Sequence, residues 1–503
     1  MKEVLNIVKD ETLTYHQQVL ALARLAESMN HTLVYPEEVL KAKEERILCD
    51  LNEGNLPYRP RYIIPNYQQL IDKGSEFLQL EPATDLWEAC NNLLIIYRNV
   101  PSITSFPVYL GGLDDLLEPF VQKVSREEAK KCLKLFLTNI DRTLTDSFVH
   151  ANIGPKDTLT GRLVLELTQE MQLAIPNLTL KYDPEITSDE FAELCAICMM
   201  KTAKPSFANH KMFVEEWGED YAIASCYNGL FNAGGGYTLP RLRLFEMSQK
   251  ASSIEEFINE TLPYYCNCLW QFMDIRIRFL VEESNFFKSN FLVTEGFVKQ
   301  ENFTGMFGMV GLAECCNNLL GITDPNKGYG HNAEADQLGV RILQAITDFV
   351  NSKEAKYCES TNNHYRLHAQ VGIDSDGREN SPGARIPIGS EPEMFEQIAH
   401  SALTHKYFPT GIGDIFRFEE TWLNTPKALV DIIKGAHASG MRYYSGYLAN
   451  NDVVRVTGYL VKKSELAKLD AHKQSYNNCS VFGQGARDFS NALERRVHES
   501  ANK

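Results

Sequence analysis

Twelve cysteines, a few acids and two spaced histidines are the side chains here that could do chemistry, and their surroundings sort them. Cys195-Ala196-Ile197-Cys198 has the spacing of half a zinc or redox site, but no second pair stands at a matching distance. It continues the helical periodicity of Asp189–Leu194, so two packed thiols on a helix are expected. Cys266 and Cys268, beside Leu269 and Trp270, read the same way. The adjacent Cys315 and Cys316 follow Glu314 in a helix-like stretch and are expected to be structural. Cys226 stands apart, just ahead of Gly229 and the run Gly234-Gly235-Gly236. That run is no phosphate loop, because no Gly-Lys-Ser/Thr follows it; its glycines are expected to let the chain turn sharply beside the thiol. His364 and His368 have the i, i+4 spacing of a helical metal pair, yet no acid accompanies them and Asn362-Asn363 point to a loop, so a surface role is expected. Finally, Val453 to Val461 is an apolar, strand-like run broken by one glycine, Gly458, between Thr457 and Tyr459. Such a glycine marks a bulge or a close backbone approach.

Something must hold these residues, and the chain is large enough to do it. Its 503 residues, 44% apolar and 23% charged, suit a large buried core in one big α/β body or two or three ordinary domains. The net charge of −16 disfavours a basic groove for nucleic acid. No stretch reaches the ~18 apolar residues of a membrane span, and the acidic start has no signal-like apolar run, so a cytoplasmic location is expected. In that compartment disulfides are not the default.

Helical spacing dominates the first part of the chain, as in Leu86-Trp87-Ala89-Cys90-Leu93 and Ala129-Cys132-Leu133-Phe136. Pro36 with Glu37-Glu38 reads as a helix start. From about residue 148 short apolar or β-branched runs alternate with helical ones: Leu173–Tyr182, then Ser188–Thr202. Alternation of this kind predicts an α/β architecture around a buried sheet. We expect a helical layer over 1–145, the α/β body over 146–470, and a polar, helix-like tail over 471–503 broken at Gly483 and Gly485.

Three stretches share a resemblance. Arg455-Val456-Thr457-Gly458-Tyr459 resembles the glycyl radical signature found near the end of such enzymes. Ala224–Leu242, with Cys226, the glycines and Leu239-Pro240-Arg241, resembles a region of class III anaerobic ribonucleotide reductases, where a radical-carrying cysteine precedes a Gly-rich segment running into a strand that ends in Leu-Pro-Arg. Thr304–Glu314 resembles an Ile-Gly-x-x-Gly-Leu-x-Glu stretch of the same reductases. With Gly111-Gly112-Leu113-Asp114-Asp115 and Lys204-Pro205-Ser206-Phe207, the whole chain resembles the YjjI family of glycyl radical proteins.

The resemblance implies a ten-stranded α/β barrel of two five-stranded halves, with a glycine loop and a cysteine loop entering from opposite ends. It implies a radical stored on Gly458, passed to Cys226, and used to abstract hydrogen from a small polar substrate. Arg455 and Tyr459 would anchor the glycine loop. Only a residue with two Cα hydrogens can lose one and remain planar without a side chain crowding the tip. A separate S-adenosylmethionine radical iron–sulfur activating enzyme would install the radical, since no Cys-x3-Cys-x2-Cys occurs here; no permanently bound cofactor or metal is expected, and a homodimer is. Glu314 could bind a substrate hydroxyl or act as a base, or could cap its helix; both stay open. Two alternatives are kept: a class III ribonucleotide reductase, disfavoured because no cysteine lies between Cys358 and Gly458 to build a zinc site, and an inactive barrel serving as a scaffold.

Overall fold

The computed structural model describes residues 2–50, 53–102, 107–144, 146–369, 380–475 and 494–499. Its strands, in chain order, begin with β1 (Leu48–Cys49), β2 (Tyr62–Ile64), β3 (His150–Ile153), β4 (Asn177–Tyr182) and β5 (Ser206–Asn209). Next come β6 (Tyr221–Ala224), β7 (Asn228–Phe231), β8 (Gly234–Gly236), β9 (Arg241–Arg243), β10 (Phe303–Thr304), β11 (Met306–Val310) and β12 (Arg366–Ala369). The last are β13 (Asp414–Phe418), β14 (Tyr443–Leu448), β15 (Val453–Arg455), β16 (Leu460–Lys462) and β17 (Val497–His498).

The largest sheet has the order β17-β13-β14-β5-β4-β3. β3, β4 and β5 run parallel, as do β14, β13 and β17, and the two sets meet antiparallel where β14 pairs β5. A second sheet has the order β1-β9-β11-β12, with β9, β11 and β12 parallel. The α/β expectation therefore holds. The closed barrel of two five-stranded halves is not what the ladders draw: among the described residues the two sheets hold six and four strands, and no ladder joins them.

The strand–helix alternation forms as its sequence demands. Thr158 caps the helix Leu159–Met171 and Ser188 caps Asp189–Thr202, each side-chain oxygen accepting a backbone N–H two or three residues into the helix. These helices cover one face of the large sheet, where Ile153, Leu180, Phe207, Phe416, Phe418 and Tyr444 meet Leu165, Phe191, Met199 and Ile433 in one apolar cluster. Residues alternate across a strand, so the opposite face receives His150 and Asn152 from β3, Asn177 and Thr179 from β4, Ser206 from β5, and Tyr443 and Ser445 from β14. All seven are buried. The pairings His150↔Asn177, Asn152↔Thr179 and Thr179↔Ser206 set them side by side.

What buries this polar face is a pair of two-stranded hairpins, β6–β7 and β15–β16. Asn152 clamps the first: its amide donates to the Ile223 carbonyl (2.8 Å) and accepts from the Ile223 N–H (2.9 Å).

The glycine run departs from expectation. Gly234–Gly236 is strand β8, between β2 and β10, and the turn lies just before it at Asn232-Ala233. Glycine is needed for close approach: a Cβ on Gly235 would lie 2.2 Å from the Tyr62 carbonyl oxygen, and one on Gly234 2.2 Å from that of Asn302. Likewise Arg241 opens β9 and does not end a strand. In the tail, Gly483 and Gly485 lie outside the described residues, and Val497–His498 is an edge strand on β13, not helix.

Replacing Asn152 by leucine strands a buried N–H and a buried C=O of the hairpin. The expected cost is about 2–5 kcal/mol of unfolding free energy, read as a lowered urea midpoint at unchanged slope; a loss below about 0.5 kcal/mol would show that this clamp does not hold the hairpin.

Candidate functional site

Cys226 sits at the tip of the β6–β7 hairpin. Ser225 before it adopts a left-handed conformation (φ 62°), and its N–H donates to the Val108 carbonyl at 2.9 Å. The Cys226 side chain is 2% exposed. Its thiol donates to Asn228 Oδ1 at 3.3 Å, and the Tyr443 hydroxyl donates to its carbonyl at 2.8 Å. Burial pushes the thiol up to about 11, outweighing the Tyr227 N–H and the Arg385 charge that favour the thiolate. Near neutral pH the group is therefore S–H, a poor nucleophile but a competent hydrogen-atom donor.

Gly458 occupies the other tip, that of β15–β16, and is buried. Inside the tip the Val456 N–H donates to the Tyr459 carbonyl (3.1 Å). The hairpin is held through its backbone and its arginine. Arg455 Nη2 donates to Asn177 Oδ1 (3.0 Å) and to the Ala203 carbonyl (2.9 Å). Arg495, from the chain's far end, donates to the carbonyls of Arg455 (2.9 Å) and Val456 (2.7 Å). Tyr459 packs edge-on against Phe148, ring centroids 5.5 Å apart.

One row of side chains on the sheet runs between the two tips. Asn177 Oδ1 accepts from Arg455, which fixes the amide so that Nδ2 donates to the Gly458 carbonyl at 3.4 Å. The same Nδ2 lies 3.3 Å from His150 Nδ1, which stands 3.0 Å from the Ser225 carbonyl. A carbonyl only accepts, so Nδ1 carries the proton and Nε2 accepts from the Thr179 hydroxyl at 2.7 Å. Thr179 lies 2.6 Å from the Tyr443 hydroxyl that holds Cys226. Burial, with Arg455 and Lys204 nearby, drives His150 down to about 3, so it is neutral.

Glu314 lies elsewhere. In the first turn of the helix Leu312–Leu319, its carboxylate accepts from both the N–H and the hydroxyl of Ser381, and so ties down the chain around that residue. Burial raises its pKa. Cys315 and Cys316 are fully buried in that helix, with burial pushing both thiols up. Cys195 and Cys198 are buried on the helix Asp189–Thr202, and Cys266 and Cys268 on Leu262–Arg278, as their periodicity predicts. Cys479 lies outside the described residues. His368 corrects the surface reading: it is a strand residue, 1% exposed, tilted against the Tyr227 ring at 5.7 Å. His364 precedes that strand and its Nδ1–H donates to the Lys353 carbonyl (2.8 Å), so the two do not form a helical pair.

Sequence reasoning missed His150, Asn177, Thr179, Tyr443, Asn228, Arg385 and Arg495. Each is an ordinary polar residue in a short strand or loop, and only the polar–apolar alternation within Asn177–Tyr182 hinted that a strand face here is polar.

Two hairpin tips thus lie over the polar face of a mixed α/β sheet, one carrying a buried glycine and one a buried thiol. The B12-independent glycerol dehydratase of Clostridium butyricum superposes with a TM-score of 0.72 at 11% identity, covering 99% of this chain and 88% of that one. The anaerobic ribonucleotide reductase of Thermotoga maritima with dATP in its specificity site gives a TM-score of 0.69 at 11% identity, with 91% of this chain and 89% of that one covered. At such identity these likenesses speak for the fold alone, that of glycyl radical enzymes. The family is shown by sequence: the model described as glycyl radical enzyme YjjI-like matches residues 13–498. An uncharacterized protein of Haemophilus influenzae is 44% identical over 99% of this chain and 98% of its own length, and the uncharacterized protein YjjI of Escherichia coli is 41% identical over 97% and 94%. The chain belongs to the YjjI-like family of glycyl radical enzymes.

His150 yields a test. Unfolded, it takes up a proton as the pH falls through about 6.5; folded, it resists until about 3. The unfolded chain thus binds more protons in that window, and this contribution to stability is full above pH 6.5 and lost on acidification, by about 1.4 kcal/mol per pH unit. His150→Asn, followed by urea unfolding between about pH 7 and pH 4.5, should show a slope shallower by about one proton. An unchanged slope would mean that His150 is not held neutral.

Proposed function

We propose that Gly458 stores the radical and that Cys226 carries it to substrate. The observation that supports this reading is that Asn177 holds the Gly458 carbonyl and His150, its cross-strand neighbour, holds the carbonyl preceding Cys226, on one buried sheet face. In the first step the Gly458 Cα radical takes the hydrogen atom of the Cys226 S–H, leaving an intact glycine and a thiyl radical. The thiyl then takes a hydrogen atom from a carbon of a small polar substrate, and the thiol returns one to the product radical. Every step is homolytic, so the raised thiol pKa is no handicap and exclusion of water is an advantage. The protein orients and shields, as with other radical chemistry.

Arg455 and Tyr459 hold the glycine loop in this reading, and His150, Asn177 and Tyr443 are positioning residues between the tips. A radical S-adenosylmethionine iron–sulfur activase would remove the Gly458 hydrogen, as family membership suggests, and the barrel closure, the homodimer and the cytoplasmic location belong to the same expectation. The substrate pocket would be built around Cys226 and not around Glu314, whose oxygens are engaged by Ser381.

Anaerobic activation with a matching activase, followed by electron paramagnetic resonance, tests the assignment. Wild type and Cys226→Ala should both give a glycyl doublet, and Gly458→Ala none; air should then cut activated wild type at residue 458. Silence from wild type with an activase proven on another target would remove the radical assignment and favour the scaffold reading.

A further inference from the structure

Among the described residues, the layer between the two tips leaves buried hydrogen-bond donors without acceptors. Arg385, 7% exposed, spends Nε on the Gly413 carbonyl while Nη1 has no acceptor among the described residues. Its guanidinium lies 5.5 Å from the centroid of the Tyr227 ring, the residue after Cys226. Asn228, fully buried, accepts from the Cys226 thiol through Oδ1, and its Nδ2 finds no partner. Across the row, the buried Arg455 Nε and Thr457 Oγ1 also have no partner among the described residues. Neither Arg385 nor Arg455 forms a salt bridge among the described residues. The two guanidiniums and that of Arg495 act on one another: burial first, then the charges of Arg385 and Arg495, bring Arg455 down to about 10.

An uncompensated buried cation costs several kcal/mol unless something balances it, and an unpaired buried donor adds to the cost. Natural sites carry such a deficit where a ligand supplies the missing charge and acceptors. Arginine matches a carboxylate in geometry, and the pair gains most where water is excluded. A neutral polyol would bring hydroxyls but leave the positive charge unbalanced.

Resting on the reading that Cys226 marks the substrate pocket, we propose that this enzyme acts on a small carboxylate, whose carboxyl group is held by Arg385 with the Asn228 amide beside it, next to the Cys226 thiol. Arg385 is the substrate-anchoring residue, and Asn228 holds both ligand and thiol. The carbon that loses hydrogen then lies within a few bonds of the carboxyl group.

The test uses unactivated protein, so it does not depend on the radical. Thermal unfolding is followed with sodium acetate, glycolate and lactate against ethanol, ethane-1,2-diol and propane-1,2-diol at matched ionic strength, with inorganic phosphate alongside. A ligand that binds the folded state raises the melting temperature in proportion to its occupancy. We expect at least one carboxylate to do so and the matched alcohols not to, with apparent affinity falling by about tenfold or more in Arg385→Gln and partly kept in Arg385→Lys. Stabilisation by phosphate alone, by alcohols equally, by nothing, or equally in Arg385→Gln would overturn the proposal. Should Arg385→Gln fold poorly, Arg385→Lys with Asn228→Ala carries the comparison: unchanged carboxylate affinity in both would also overturn it. The glycyl doublet separates the two readings. A normal doublet in wild type without carboxylate binding removes the carboxylate and leaves the radical assignment standing; carboxylate binding without a doublet does the reverse.

Discussion

Everything around the two loop tips depends on one constraint: a sheet face lined with polar side chains is buried, and each of its donors and acceptors must find a partner away from water. Sheets usually satisfy this by being apolar on the buried side. Here the face of β3, β4, β5 and β14 turned toward the hairpins carries His150, Asn152, Asn177, Thr179, Ser206, Tyr443 and Ser445. Side-chain pairs settle part of it, such as Ser206 with Ser445 at 2.7 Å. The remainder is settled by loop backbone: the carbonyls of Ile223, Ser225, Cys226 and Gly458 all point at sheet side chains. The hairpin tips are thus fixed by the sheet's need for partners as much as by their own sequences.

Dryness governs the chemistry of the layer. It raises the Cys226 thiol, lowers His150, and lowers even the Arg455 guanidinium. Each shift favours the uncharged form, because a charge loses its hydration on burial and regains only what fixed dipoles return. Groups that would act as ions in an ionic mechanism are held neutral, which suits steps in which hydrogen moves as an atom. Against that background the three buried guanidiniums of Arg385, Arg455 and Arg495 stand out.

The glycine-rich segment shows a different use of the same residue type. Gly234–Gly236 carries no turn; it lets β2, β8 and β10 approach until side chains would collide with carbonyl oxygens. That narrow sheet sets Tyr62 near Cys226, and burial raises the Tyr62 hydroxyl. Close backbone packing beside the cysteine hairpin, and not flexibility, is what these glycines provide.

Much of the local structure was legible in the residues. Ser188 before Asp189-Glu190 announces a helix start, and the helix runs to Thr202 as its periodicity predicts. The packed thiols of Cys195, Cys198, Cys266, Cys268, Cys315 and Cys316 could be set aside from spacing alone, and Gly458 and Cys226 could be singled out by the words around them. What tertiary structure alone decided is which face each short strand turns inward and what it meets there. His368 read as a loop histidine because a four-residue strand is too short for its period to be recognised, and it is buried. His150, Asn177, Tyr443 and Arg385 carry no local mark because their roles arise from partners 75, 281, 217 and 28 residues distant in sequence. Periodicity reports a residue's neighbours along the chain; a buried polar network is defined by neighbours across it, and only folding brings those together.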